Sequence, residues 1–206
     1  MNPARLERQI GFIVEIDRLK RVMRQTLLTD RCRHENSAEH SWHIALAALV
    51  LAEYAEPPDL DLPRVVKMLL VHDLVEIDAG DTYCYDAEAR RGQLARERQA
   101  AERVFGQLPA DQAAELQDAW EEFEARESPE ALFAAALDRL QPVLNNFYSG
   151  GAMWRKHGIR RQQVERRIAP LQTGAPVLWR YASGLLTEAV ARGILADEDA
   201  DALASS

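Results

Sequence analysis

The sequence predicts an all-α protein on two observations. Apolar residues recur at helical spacing along almost the whole chain, and no stretch alternates apolar with polar residues between hairpin turns. A third observation bounds the size. The chain has 206 residues, 47% of them hydrophobic and 28% charged, which suits one globular domain with a sizeable core. We read it as a single domain, with a core over about 10–150 and a helical appendage over about 160–206.

The elements follow in order. A mixed amphipathic pattern with Ile10, Ile13, Val14 and Leu19 gives a first helix over 3–28, and a charged loop over 29–36 follows. Asn36 with Glu39 three residues later has the form of a reciprocal cap, opening a second helix that runs to Tyr54 and ends before Pro57 and Pro58. Asp61 as cap and Pro63 in the first turn open a third helix, which Gly80 closes. After a polar loop over 81–86, further helices are expected over 88–108, 111–126, 129–148 and 175–192, with a short last element near the end. The stretch 150–174 gives the weakest pattern.

Composition excludes several classes. No apolar run approaches the ~18 residues of a membrane span, and the first residues lack the basic flank and apolar stretch of a secretory signal. Cys32 and Cys84 form neither a CxxC pair nor a disulfide framework, so a reducing cytoplasm is expected. The net charge of −8, without a long basic block, would repel a polymeric nucleic acid. A small phosphate-bearing substrate stays compatible with it, because a local arginine cluster can bind one.

The chemistry is located by an anomaly. Three stretches, 44–52, 65–77 and 132–144, are apolar nearly all round, as interior helices are. Each carries imidazole or carboxylate groups at one place: His40 and His43 beside the first, His72, Asp73 and Glu76 in the second, Asp138 in the third. A carboxylate taken from water into an apolar interior is destabilising by several kcal/mol or more unless it is paired or binds a metal, so these groups should converge on a common cation. Two imidazoles and two carboxylates without a thiolate suit manganese, iron, cobalt, zinc or nickel about equally. His72 and Asp73 lie about 100° apart around a helix, and Glu76 falls on the face of His72. Taken alone, Asp138 reads as half of an ion pair with Arg139. His43, beside Trp42, is the weakest candidate for the metal.

Together the segments Glu39-His40-Ser41, His72-Asp73 with Glu76 and Gly80-Asp81 downstream, and Ala136-Leu137-Asp138-Arg139-Leu140 resemble the HD superfamily of metal-dependent phosphohydrolases. The stretch from Leu19-Lys20-Arg21 through Glu35-Asn36-Ser37-Ala38-Glu39-His40-Ser41 is similar to the branch containing bacterial 5′-deoxynucleotidases. The resemblance implies an HD-domain helical bundle with C-terminal helices packed on it, and one divalent ion (Mn, Co, Fe, Zn, Ni or Mg) held by His40, His72, Asp73 and Asp138. It further implies Glu76 near the attacking water, Asp81 in the catalytic and substrate pocket, and a first-helix arginine on the substrate phosphate. Arg24 matches best, with Arg21 and Arg33 competing. The partner of Arg24 in that branch is a tryptophan, where this chain has Gln25. The implied substrate is a small (deoxy)nucleotide monophosphate, and the implied assembly a homodimer. An HD phosphodiesterase, a nucleoside triphosphate hydrolase and a non-catalytic metal-binding helical module stay open as alternatives. A diesterase with two metals would need His43 and Asp78 as extra ligands.

Overall fold

In a computed structural model of the protein, which describes residues 3–86, 88 and 91–197, the chain is helical except for one short hairpin. Helix α1 (Pro3–Ile16) gives way to a 3₁₀ turn over Asp17–Arg21. Strands β1 (Met23–Leu27) and β2 (His34–Asn36) then pair antiparallel, Met23 with Asn36 and Leu27 with His34, with an irregular register between them. The expected helix over 3–28 is therefore too long by its last third. The reason is tertiary: residues 23–27 take their backbone partners from residues 34–36, which no pattern local to 3–28 reveals. The turn is held by the Asp30 carboxylate, which accepts from Cys32 N–H at 2.9 Å, with Arg31 at φ 65°.

The reciprocal cap is formed as expected. Asn36 accepts from Glu39 N–H at 2.9 Å, the Glu39 carboxylate receives Asn36 N–H at 3.3 Å, and α2 (Ser37–Leu51) begins. Asp61 caps α3 (Leu62–Val71) with Pro63 in its first turn. At His72 the α-helix tightens to a 3₁₀ turn over His72–Val75, then resumes as α4 (Glu76–Ala79). His72 Nδ1 lies 2.9 Å from the Leu69 carbonyl, the acceptor a continued α-helix would offer to Asp73 N–H, so side chain and backbone compete there. Gly80, at φ 74°, ends the segment as expected, in a conformation that favours glycine.

Helices α5 (Gln93–Phe105), α6 (Ala110–Ala125) and α7 (Pro129–Tyr148) follow. The weakly patterned stretch holds three short ones, α8 (Ala152–Lys156), α9 (Arg161–Ile168) and α10 (Leu171–Gly174), before α11 (Pro176–Ala191). The last expected element falls mostly on residues 198–206, outside the described residues; Ala196 makes a single parallel bridge to Arg160.

Helix α7 is the axis of the packing. It touches α2, α3 and α6 on one side and α9, α10 and α11 on the other, and buries Phe133, Leu137, Leu140 and Val143. Truncating a fully buried side chain such as Phe133 to alanine would destabilise the fold by about 3–5 kcal/mol. Trp120 and Trp154 are buried anchors, and Trp179 packs partly buried against the same core. Two of the three stretches expected inside are largely so. In α2, however, Ile44, Ala45 and Ala48 face the core while Trp42, Leu46, Leu49 and Val50 are exposed, Val50 at 65%. Among the described residues no helix is long and apolar enough to cross a membrane.

Candidate metal centre

Three buried elements deliver the donor atoms: α2 brings His40, the 3₁₀ turn after α3 brings His72 and Asp73, and α7 brings Asp138. One donor atom each of His40, His72 and Asp73 lies within 4.8 Å of the other two. Asp138 joins them through the imidazoles, its Oδ1 standing 3.1 Å from His40 Nε2 and 3.9 Å from His72 Nε2. His72 Nε2 is 3.0 Å from Asp73 Oδ1. Ligands about 2.1 Å from one ion stand roughly 3–3.4 Å apart, so these separations are near those of a coordination shell.

The donor chemistry fits a divalent ion on a further observation. His72 Nδ1 is engaged by the Leu69 carbonyl, an acceptor, so it carries a hydrogen. In the neutral ring Nε2 is then a bare lone pair. That atom is buried, has no hydrogen-bond partner, and faces a carboxylate oxygen at a distance that is repulsive without a cation or proton between them. His40 is arranged likewise, with Nδ1 3.2 Å from Gln141 Oε1 and Nε2 toward Asp138. Asp138 makes no ion pair with Arg139, whose guanidinium donates instead to the Ala135 carbonyl at 2.8 Å. The expected pairing of Asp138 with Arg139 is therefore set aside.

Electrostatics agree. Burial alone would lower the affinity of the His72 ring for protons, but the Asp73 and Asp138 carboxylates outweigh it and push the ring up to about 9. Burial opposes ionisation of Asp138 as well, yet its contact with His40 holds its carboxyl well below the usual carboxylate range. A site that attracts protons so strongly onto its nitrogens attracts a divalent cation for the same reason.

Above the donors lies a cavity of about 550 Å³ whose lining includes His72, Asp73, Glu76, Asp81, Asp138 and Arg24. Glu76 is buried, receives Ser37 Oγ–H at 2.5 Å, and is raised well above the ordinary glutamate value, by burial first and then by Asp73. Asp81 is raised too, by burial, against the pull of Arg24. Arg24 lies on β1 rather than on the first helix, and its Nη1 donates to Asp73 Oδ2 at 3.0 Å. Burial works against its charge, but Asp73, Glu76 and Asp81 raise it further above the ordinary arginine value. Its competitors do not reach the cavity lining: Arg21 is exposed, and Arg33 is paired with Glu39 at 2.6 Å. Neither extra ligand considered for a second metal joins the cluster, since His43 is exposed and Asp78 is paired with Arg103.

Sequence reasoning missed Ser37, Glu35 and Gln141, all buried around these donors. Gln141 could have been found, because it follows Asp138 by three residues on the same helix face. It also missed Arg126 and Arg139 on the cavity wall. The charged run 160–167 reads from the sequence as a solvated face or as the border of a phosphate pocket; its Arg167 lines the cavity and brings Nη2 to 4.0 Å from Asp138 Oδ2.

A helical bundle that gathers His, His-Asp and Asp from three buried segments defines the HD-domain class, and the model of the HD domain family matches residues 16–179. The chain belongs to that family. It is similar to a human protein named 5′-deoxynucleotidase HDDC2, 31% identical over 66% of this chain and 65% of the human protein, and to that of Xenopus laevis, 29% identical over 79% and 74%. The match thus spans just under two thirds of the human relative's length. The fold is also that of a crystal structure of a predicted metal-dependent phosphohydrolase from Magnetospirillum magnetotacticum, with TM-score 0.89 and 53% identity over 94% of this chain and 96% of that one.

Proposed function

We propose that this protein is a metal-dependent phosphohydrolase that cleaves the monoester of a small nucleotide such as a deoxyribonucleoside 5′-monophosphate. The observation that carries the reading is the buried His72 Nε2, directed at Asp73 Oδ1 3.0 Å away on the floor of a cavity that also holds Glu76. The names of the human and Magnetospirillum proteins support the same class of reaction.

His40, His72, Asp73 and Asp138 would hold the ion, with manganese, cobalt, iron, zinc, nickel and magnesium all candidates. Such an ion supplies Lewis acidity, lowering the pKa of water toward about 7 and offsetting charge on a phosphoryl oxygen. Glu76 is the group that takes the proton of the attacking water, because burial raises its proton affinity and makes it a stronger base than a solvated glutamate. Ser37 fixes the orientation of that carboxyl. Arg24 presents fixed positive charge over the donors and steadies the non-bridging oxygens of the phosphate. Asp81, at the start of the loop after Gly80, contacts the sugar or returns a proton to the leaving oxygen.

One set of ligands favours a monoesterase over a two-metal diesterase, and a cavity with two raised carboxyls beside the donors argues against a closed structural site. We propose further that the chain works as one domain, since α9, α10 and α11 pack on α7. A cytoplasmic homodimer completes the reading. The apolar faces left bare on α1 (Leu6, Ile10, Ile13, Val14) and α2 (Trp42, Leu46, Leu49, Val50) support self-association. The test is a panel of nucleoside mono-, di- and triphosphates and cyclic nucleotides, assayed with each metal for phosphate, pyrophosphate and nucleoside. Phosphate and deoxynucleoside released in equal amounts from monophosphates are expected. Pyrophosphate release, or no hydrolysis with any metal, would sink the proposal.

A further inference from the structure

His40 has no access to solvent, and its two ring nitrogens face different partners: Gln141 Oε1 at 3.2 Å and, farther off, Glu35 Oε2 at 3.6 Å from Nδ1, and Asp138 Oδ1 at Nε2. A neutral imidazole can offer a lone pair at Nε2 only if Nδ1 carries the hydrogen. The group opposite Nδ1 therefore decides whether His40 can bind a cation at all. A glutamine amide does not decide this by itself. Turned through half a rotation, Gln141 would present N–H to Nδ1, the ring hydrogen would move to Nε2, and the lone pair would be lost from the site.

Glu35 removes the ambiguity. Gln141 Nε2 donates to Glu35 Oε1 at 2.6 Å, and an ionised carboxylate can only accept. The Arg24 guanidinium faces the other Glu35 oxygen, its Nε at 3.6 Å. The second hydrogen on Gln141 Nε2 is directed at His43 Nδ1, 3.2 Å away. Both amide hydrogens are thus taken, and the amide oxygen is left for His40. All three members of this chain are buried, so water does not substitute for a missing partner.

We propose that Glu35 and Gln141 are positioning residues that set the tautomer of His40 and so direct its Nε2 lone pair at the cation. Glu35 orients the amide, and the amide orients the imidazole. The relay rests on the metal reading above and extends it to two residues outside the donor set.

The experiment measures cobalt(II) affinity by competition with a chromophoric chelator, on folded protein freed of metal, for the wild type, Glu35→Gln, Gln141→Glu and the exchanged pair Glu35→Gln/Gln141→Glu. Each single change disturbs the polarity of the relay: Glu35→Gln lets the amide turn, and Gln141→Glu sets two carboxylates together. The exchange restores it, because Glu at 141 accepts from His40 Nδ1–H while Gln at 35 donates to it. We expect each single variant to bind about 10–100-fold more weakly, and the exchanged pair to return to within about threefold of wild type. Single variants with unchanged affinity would overturn the relay, as would an exchanged pair no better than either single. Circular dichroism verifies the fold of each variant. Should a variant not fold, histidine ¹⁵N spectra of the metal-free wild type at alkaline pH decide instead: hydrogen on Nδ1 of the neutral His40 ring supports the relay, and hydrogen on Nε2 refutes it. A wild-type protein that binds no cobalt would instead bring down the metal reading beneath.

Discussion

The floor and the wall of the cavity are built on different rules. On the floor, every donor comes from a helix or its tightened end, and each imidazole has its second nitrogen tied down, His72 by Leu69 and His40 by Gln141. On the wall stand Arg126 at the end of α6, Arg167 on α9 and Tyr83 on the loop after Gly80, brought together only by packing. Arg126 is exposed and Arg167 is a third exposed. The difference teaches that one part of the site holds its side chains by buried hydrogen bonds, as the proposed cation would require, while the other presents positive charge on more exposed side chains.

The largest break in that comparison should come from the floor. His72→Ala or Asp73→Ala is expected to abolish stoichiometric metal by elemental analysis and to reduce kcat/KM by about a thousandfold or more, since Lewis-acid stabilisation amounts to several kcal/mol. Full metal occupancy in either variant would contradict the donor assignment. Glu76→Ala should keep the metal and lose about 10²–10⁴ in kcat, a separation that distinguishes a proton acceptor from a ligand. Parallel loss of metal and turnover would move Glu76 into the donor set. From the wall, Arg167→Ala should raise KM about tenfold with kcat little changed, the pattern of a contact made equally in ground and transition states. A fall in kcat without a change in KM would mean that this side chain acts on the reaction itself.

Acidity sharpens the same contrast. Without metal, the His72 proton is stabilised by Asp73 and Asp138, so folding gains from this group below about 6.5 and loses that gain as the pH rises through about 9. Metal must displace the same proton. Cobalt affinity should therefore rise with pH across that window, with protons released on binding, as calorimetry in buffers of different ionisation enthalpy would report. A pH-independent affinity would show that His72 enters the site already deprotonated. The smallest effect is expected from the cap: Asn36→Ala removes the bond to Glu39 N–H and should destabilise the protein by about 1 kcal/mol, lowering Tm by about 2–4 °C in a calorimetric scan.

The floor was legible in the sequence for a definite reason. Imidazoles and carboxyls inside apolar helical stretches are costly unless they share a partner, so His40, His43, His72, Asp73, Glu76 and Asp138 stand out from their neighbours, and the resemblance to the HD family implies which four would hold an ion. Helix starts at Asn36 and Asp61 were equally legible, where a cap and a nearby proline or glutamate act over three residues. The hairpin was not. Its pairing joins residues 23–27 to 34–36, and its turn uses Asp30 and Arg31 instead of a glycine signal. The same hairpin places Arg24 against Asp73, a contact between residues 49 apart.

By itself, then, the sequence determined the helical class, most helix boundaries after residue 36, and a group of candidate imidazoles and carboxyls inside apolar segments. Those follow from propensity, capping and the penalty on buried charge, which act locally or on single side chains. Tertiary structure alone decided which nitrogen of each histidine points inward, which arginine reaches the cavity, and that the outer face of α2 stays bare. Each of those depends on what another segment offers at hydrogen-bond distance, or on whether another segment arrives at all, and no local pattern carries that information.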